Sequence, residues 1–121
     1  NALSVSGSIE ASGNITAFAS SDKRLKENII EIPNSLEKIK QIKGVLFNWK
    51  EGYEKVHPYG KNKDVGVIAQ EVQQILPEIV KENVHNEFLG VRYEKLTPLL
   101  LEAIKELSKK VEELEKKLKD K

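Results

Sequence analysis

Cysteine is absent from the chain, which at once excludes disulfide staples, thiolate metal sites and thiol nucleophiles. Charge of one sign is lacking too. Twenty basic side chains against 19 acidic ones leave a net charge of +1, so no long-range field draws in nucleic acid or an anionic membrane. No apolar run approaches the roughly 20 residues needed to span a bilayer, and no signal-peptide pattern is visible. There are two histidines, His57 and His85. Neither has the ligand spacing that a metal site needs, and both are expected at the surface. Gly60, Gly66 and Gly90 fall in neither a dinucleotide-binding register nor a phosphate loop. No cofactor, no metal, no nucleic acid and no membrane is therefore expected as a partner, and an ordinary small enzyme lacks a convergent set of polar groups.

What is present is unevenly distributed along 121 residues, a length suited to one ordinary domain. The first 20 positions are mostly small and polar, the middle is mixed, and the last 20 are almost entirely Lys, Glu and spaced aliphatics. Neither end can bury a core alone, which suggests that partner chains supply the missing faces. Asn1 is not a natural start residue, so the chain is expected to be a fragment of a longer polypeptide. Within the opening, Val5-Ser6-Gly7-Ser8-Ile9 returns as Ala11-Ser12-Gly13-Asn14-Ile15. Such short glycine-containing repeats suit the stacked turns of a solenoid or an intertwined β-fibre. A flexible Ser/Gly-rich linker is the alternative.

Composition changes sharply at residue 21. Downstream, Asn34-Ser35 is expected to cap a helix carrying Leu36, Ile39 and Ile42 on one face, closed by Gly44. Val45 to Trp49 is a predicted strand, Glu51 to Lys63 a loop, and Asp64 to Ile68 a second strand. A helix over Ala69 to Leu76 should stop at Pro77. Ile79 to Val84 and Phe88 to Tyr93 suit a hairpin across His85-Asn86. Trp49 and Tyr93 are expected as core or interface aromatics. Thr97-Pro98 would then open a long helix, since neither Gly nor Pro follows.

That helix holds the clearest pattern in the chain. Leu100, Ile104, Leu107, Val111, Leu114 and Leu118 recur at alternating steps of four and three, which is a heptad seam. With Ile104, Val111 and Leu118 at a, the leucines at 100, 107 and 114 fall at d, and Lys110 at g faces Glu115 at e of a partner chain. The helix from Leu100 is about 33 Å long and marginal on its own. The a/d choices lean toward two strands, but so few heptads leave the number of chains open. A single solvated helix is the alternative.

The segment Ser21-Asp22-Lys23-Arg24-Leu25-Lys26-Glu27-Asn28-Ile29 resembles the start of the intramolecular chaperone auto-processing domain. That domain ends many phage tail spikes, tail fibres and neck appendages, including the endosialidase type, and recurs in a eukaryotic membrane-bound transcription factor that cleaves itself as a trimer. Matches continue in order through Phe47-Asn48-Trp49-Lys50, Val65 to Val72, Pro77 to Val80, Val91 to Leu96 and Leu101 to Leu107, so the resemblance covers residues 21–121. It implies an α+β fold: a small mixed helix/strand domain with an N-terminal β-fibre stub and a long C-terminal coiled-coil helix, homotrimeric. Residues 1–20 would be the C-terminal end of the upstream fibre and 21–121 the chaperone, with the coiled coil at about 98–121.

The resemblance further implies a single-turnover, self-cleaving serine peptidase rather than a multiple-turnover enzyme. Its Ser–Lys dyad falls on Ser21 and Lys26, and the cleavage site on Ser20, Ser21 and Asp22. A serine hydroxyl needs a base to take its proton, and lysine is that base only when neutral, a form favoured by burial and nearby cations such as Lys23 and Arg24. Spacing alone would favour a plainer arrangement, with Ser21 or Asp22 capping a turn and Lys26 solvated. Ser21 Oγ can reach the Ser20 carbonyl, whereas attack on its own carbonyl needs a four-membered ring. A cut after Ser21 would need water or another chain's group as nucleophile, and the choice between these bonds stays open. Gln70 and Glu71 also match the family, in packing or in support of the site. The implied partners are the chain itself, as a homotrimer, and the upstream fibre as folding client. The implied place is the host cytoplasm during virion assembly, with the chaperone part released and absent from the mature virion. The alternative is a non-catalytic trimerisation and registration cap.

Overall fold

The computed structural model describes residues 2–57 and 62–121. Part of the loop expected over Glu51 to Lys63 therefore lies outside the described residues. Residues 2–20 form neither helix nor strand and bend at Ser6-Gly7 and again at Ser12-Gly13. The bends fall at equivalent points of the repeat. All of these residues are exposed, including Leu3, Ile9, Ile15 and Phe18. In the single chain, this segment has no core.

Helix α1 spans Ser35–Ile39 and ends well before Gly44, its last turn closed by bonds from Gln41 N to Lys38 O and Ile42 N to Ile39 O. Asn34 stands at its N-cap position but does not cap it. Its backbone is left-handed, with φ 52, and its side chain makes no cap bond. Asparagine tolerates that conformation better than most residues, so it serves here as a corner. Strand β1 (Val45–Asn48) pairs antiparallel with β2 (Lys63–Gly66), Val45 opposite Gly66 and Asn48 opposite Lys63. Helix α2 follows at Ala69–Ile75, and Pro77 opens a single 3-10 turn, Pro77–Ile79. Strands β3 (Val80–Glu82) and β4 (Leu89–Val91) form the expected hairpin, Val80 opposite Val91. Helix α3 runs 24 residues, Leu96–Lys119. It starts before Thr97-Pro98, and no side chain caps it. Pro98 fits its first turn because a helix has no internal partner for its first N–H groups.

Two contacts organise the interior. Val72 of α2, with Ile79 and Val80, forms a buried cluster onto which Ile42, Leu76, Leu89, Val91 and Leu96 pack. Leu99 and Ala103, one turn apart on α3, are 0% and 1% exposed where α3 packs on α1. Tyr93 bridges elements, its hydroxyl accepting from Val67 N at 3.1 Å. Gly66 permits this approach, since a β-carbon there would collide with the Tyr93 hydroxyl.

The expectation of a surface His57 is corrected. Its ring stacks on Trp49 with centroids 4.3 Å apart, and it is buried. Trp49 in turn meets Phe47 edge-on and donates from Nε1 to Asp64 Oδ2 at 3.1 Å. The flat indole face is what draws the imidazole in. His85 lies exposed in the β3–β4 turn.

Candidate functional site

The two residues expected to form a dyad meet. Lys26 Nζ lies 2.8 Å from Ser21 Oγ, within hydrogen-bond distance. The same separation serves a neutral amine accepting the serine proton. Five residues of extended chain would hold these side chains about 17 Å apart, so the chain must fold back, and a 3-10 turn at Lys23–Leu25 does this. Leu25 N donates to Asp22 O at 3.0 Å and Lys26 N to Lys23 O at 3.1 Å. Asp22 caps the turn: its Oδ1 accepts from Arg24 N at 2.8 Å. The capping expected of Asp22 and the Ser21–Lys26 contact are thus parts of one arrangement.

Arg24 is not a loose cation beside Lys26. Its Nε donates to Asp22 Oδ1 at 3.1 Å and its Nη2 to Oδ2 at 2.9 Å. The Arg24 side-chain and backbone N–H groups hold the Asp22 carboxyl below the ordinary aspartate value of 3.8. The carboxylate in turn raises the Arg24 guanidinium. Sequence inspection treated Arg24 only as a neighbouring charge and missed the clamp. The signal available was an acidic residue two positions before an arginine. Ser20, Ser21, Asp22 and Lys26 are all exposed, as are Leu25, Ile29 and Ile30 around them.

Gln70 and Glu71 take other roles. Glu71 Oε1 accepts from Lys43 N at 3.0 Å and so fixes the link between α1 and β1. Gln70 lines a shallow cleft with Gln41 and Gln74. A further carboxylate proves structural: Glu106 of α3 accepts from Ser35 N at 3.1 Å and Leu36 N at 2.6 Å. It caps α1 from 70 positions away. Among the described residues no three His, Asp or Glu side chains converge as a metal site.

Helix α3 presents two faces. Leu99, Ala103 and Glu106 turn toward α1, whereas Leu100, Ile104, Leu107, Val111, Leu114 and Leu118 are 45–71% exposed. From Leu107 to the end, every residue of the helix is exposed. No described helix is long and apolar enough to cross a membrane.

The sequence of this chain is similar to those of known proteins. A family described as chaperone of endosialidase, also named as a peptidase family, matches residues 21–81, just over half of the chain. The long tail fiber protein Gp37 of Enterobacteria phage K3 is 38% identical over 106 residues, covering 84% of this chain and 8% of that protein. The Salmonella phage S16 counterpart is 30% identical over 103 residues, 84% of this chain and 14% of that protein. Myelin gene regulatory factor-like A of Dictyostelium discoideum is 34% identical over 132 residues, covering 97% of this chain and 14% of that protein. The chain thus spans between 8% and 14% of the length of these relatives.

Proposed function

Because the chain belongs to the chaperone-of-endosialidase family, we propose that it is the C-terminal folding module of a phage tail fibre or spike, which trimerises and then cuts itself free beside Ser21. The observation that carries this is the 2.8 Å contact between Lys26 Nζ and Ser21 Oγ, at the point where the family match begins. In the cut, neutral Lys26 takes the Ser21 hydroxyl proton as Oγ attacks the Ser20 carbonyl. The Ser20–Ser21 amide breaks, its nitrogen takes a proton, and water opens the resulting ester to leave a Ser20 carboxylate and the Ser21 hydroxyl. Cleavage on the other side of Ser21 would require water or a group from another chain as nucleophile. Residues 1–20 belong to the released fibre, and 21–121 to the chaperone.

The exposure of the pair in one chain is what ties the chemistry to assembly. A lysine in water stays charged and is no base; burial against partner chains favours the neutral form. The unpartnered seam from Leu100 to Leu118 supplies the association as a coiled coil, with three parallel chains as the family resemblance implies. Cutting then follows assembly in the host cytoplasm, and the chaperone part leaves before the virion is mature. The relatives named as tail fiber proteins support the client.

Ser21→Ala and Lys26→Arg test this directly. Arginine keeps the charge but does not deprotonate, so both variants should assemble and remain uncut, while the unaltered chain yields fragments whose masses locate the bond. Normal cutting in either variant, or a cut far from Ser21, would leave only the non-catalytic cap.

A further inference from the structure

We propose that Arg24 and Asp22 act together as positioning residues that reserve Lys26 for Ser21, an inference that rests on the self-cleaving function proposed for that pair. Lys26 follows two candidate acceptors in the sequence: the Ser21 hydroxyl, which the turn at Lys23–Leu25 brings to it, and the Asp22 carboxylate. A carboxylate attracts an ammonium more strongly than a neutral hydroxyl does, so an Asp22 without its arginine would compete for Lys26 and leave Ser21 without its base. The structure shows how this is avoided. Arg24 engages both oxygens of Asp22, Nε to Oδ1 at 3.1 Å and Nη2 to Oδ2 at 2.9 Å, while its backbone N–H takes Oδ1 at 2.8 Å. Lys26 is left on Ser21 Oγ at 2.8 Å.

Stability does not explain the clamp. The Arg24 side chain is 89% exposed and that of Asp22 45%, and exposed ion pairs add little to folding. Neither residue is buried. What the fork fixes is geometry: a planar guanidinium satisfies a carboxylate bidentately, which a lysine at position 24 would not do. One carboxylate therefore has two tasks, accepting the N–H that starts the turn and being kept from the catalytic amine.

The test follows the cut of the full 121-residue chain over time in cell-free synthesis, with denaturing gels for the products and native mass spectrometry for assembly. Arg24→Ala should assemble but cut about tenfold more slowly, the scale of a small misplacement of a catalytic group. Adding Asp22→Asn to Arg24→Ala removes the competing charge while keeping an oxygen to cap the turn. That double variant should recover to within about twofold of Asp22→Asn alone, an interaction that independent sites would not show. Arg24→Ala cutting at the unaltered rate, or staying slow in the double variant, overturns the inference. Loss of assembly together with cutting marks a merely structural role and also overturns it. Lys26→Arg runs alongside: if it is silent while Arg24→Ala cuts normally, this inference fails and the Ser–Lys pair stands. If Lys26→Arg itself cuts, both fall.

Discussion

Asp22 shows how much one side chain can carry at the edge of a fold. Its carboxyl titrates below the ordinary aspartate value of 3.8 because Arg24 binds the ionised form through side chain and backbone. A depressed carboxyl stabilises the turn at pH values above its unfolded value, and that contribution is lost as pH falls through the lower folded value. The clamp is therefore complete at neutral pH and opens only in acid. Carbon-detected NMR titration should find Asp22 protonating below 3.8, and Arg24→Ala should move that midpoint upward; an unmoved midpoint would break the pairing. At this scale the sequence was partly legible. The separation of Ser21 and Lys26 could be read from the family's pattern, and a cap at Asp22 from residue type. The fork from Arg24 could not, because charge repulsion and charge pairing leave the same letters. His57 was illegible for a related reason: a lone histidine before Pro58 says nothing of the indole at Trp49 on which it stacks.

Among the elements, local patterns were readable and distant ones were not. Two strand-like segments on either side of His85-Asn86 announced the β3–β4 hairpin, and a heptad announced α3. Helix α1 is short, five residues, and such a helix is held by packing and caps rather than by propensity. Its cap comes from Glu106, whose two bonds to Ser35 N and Leu36 N no local rule at Asn34 could foresee. Removing that carboxylate leaves two part-buried N–H groups unpaired, so Glu106→Ala should destabilise the fold by about 2 kcal/mol in denaturant titrations. Glu106→Gln, retaining one acceptor oxygen, should cost less. Asn34→Gly should be neutral or mildly stabilising, since position 34 needs a left-handed backbone and makes no cap bond. A large loss at Asn34→Gly with none at Glu106→Ala would reverse the assignment of the cap. The consequence for function is placement: the same pairing seats the segment downstream of the dyad against the helix proposed to assemble.

As a whole, the single chain exposes far too much of itself. Its accessible surface is 10805 Å², whereas a compact monomer of 13.7 kDa exposes roughly 6,600 Å² by mass scaling. The excess lies in the repeat of residues 2–20 and the seam of α3, the two ends where the sequence already suggested unmet faces, and in the apolar residues Leu25, Ile29 and Ile30. Ile104 is 65% exposed and Leu118 71%, on a helix whose last turns are exposed throughout. An isolated helix of that kind frays in water, so its order would depend on the copies proposed to bury the seam. Leu107 is at the centre of that seam, one turn past Ala103 and beside the α1 contact. Leu107→Glu would set like charges against each other at the axis of the assembly, where desolvation is costly and no cation is at hand. Light scattering should then report dissociation, circular dichroism should lose helix from the C-terminal turns, and cutting beside Ser21 should cease with the cover that the partner chains provide. The exposed control Lys116→Glu, at the outward f position of the heptad, should leave all three unchanged. A Leu107→Glu chain that stays assembled would move the interface off this face, and one that dissociates yet still cuts would uncouple the dyad from assembly.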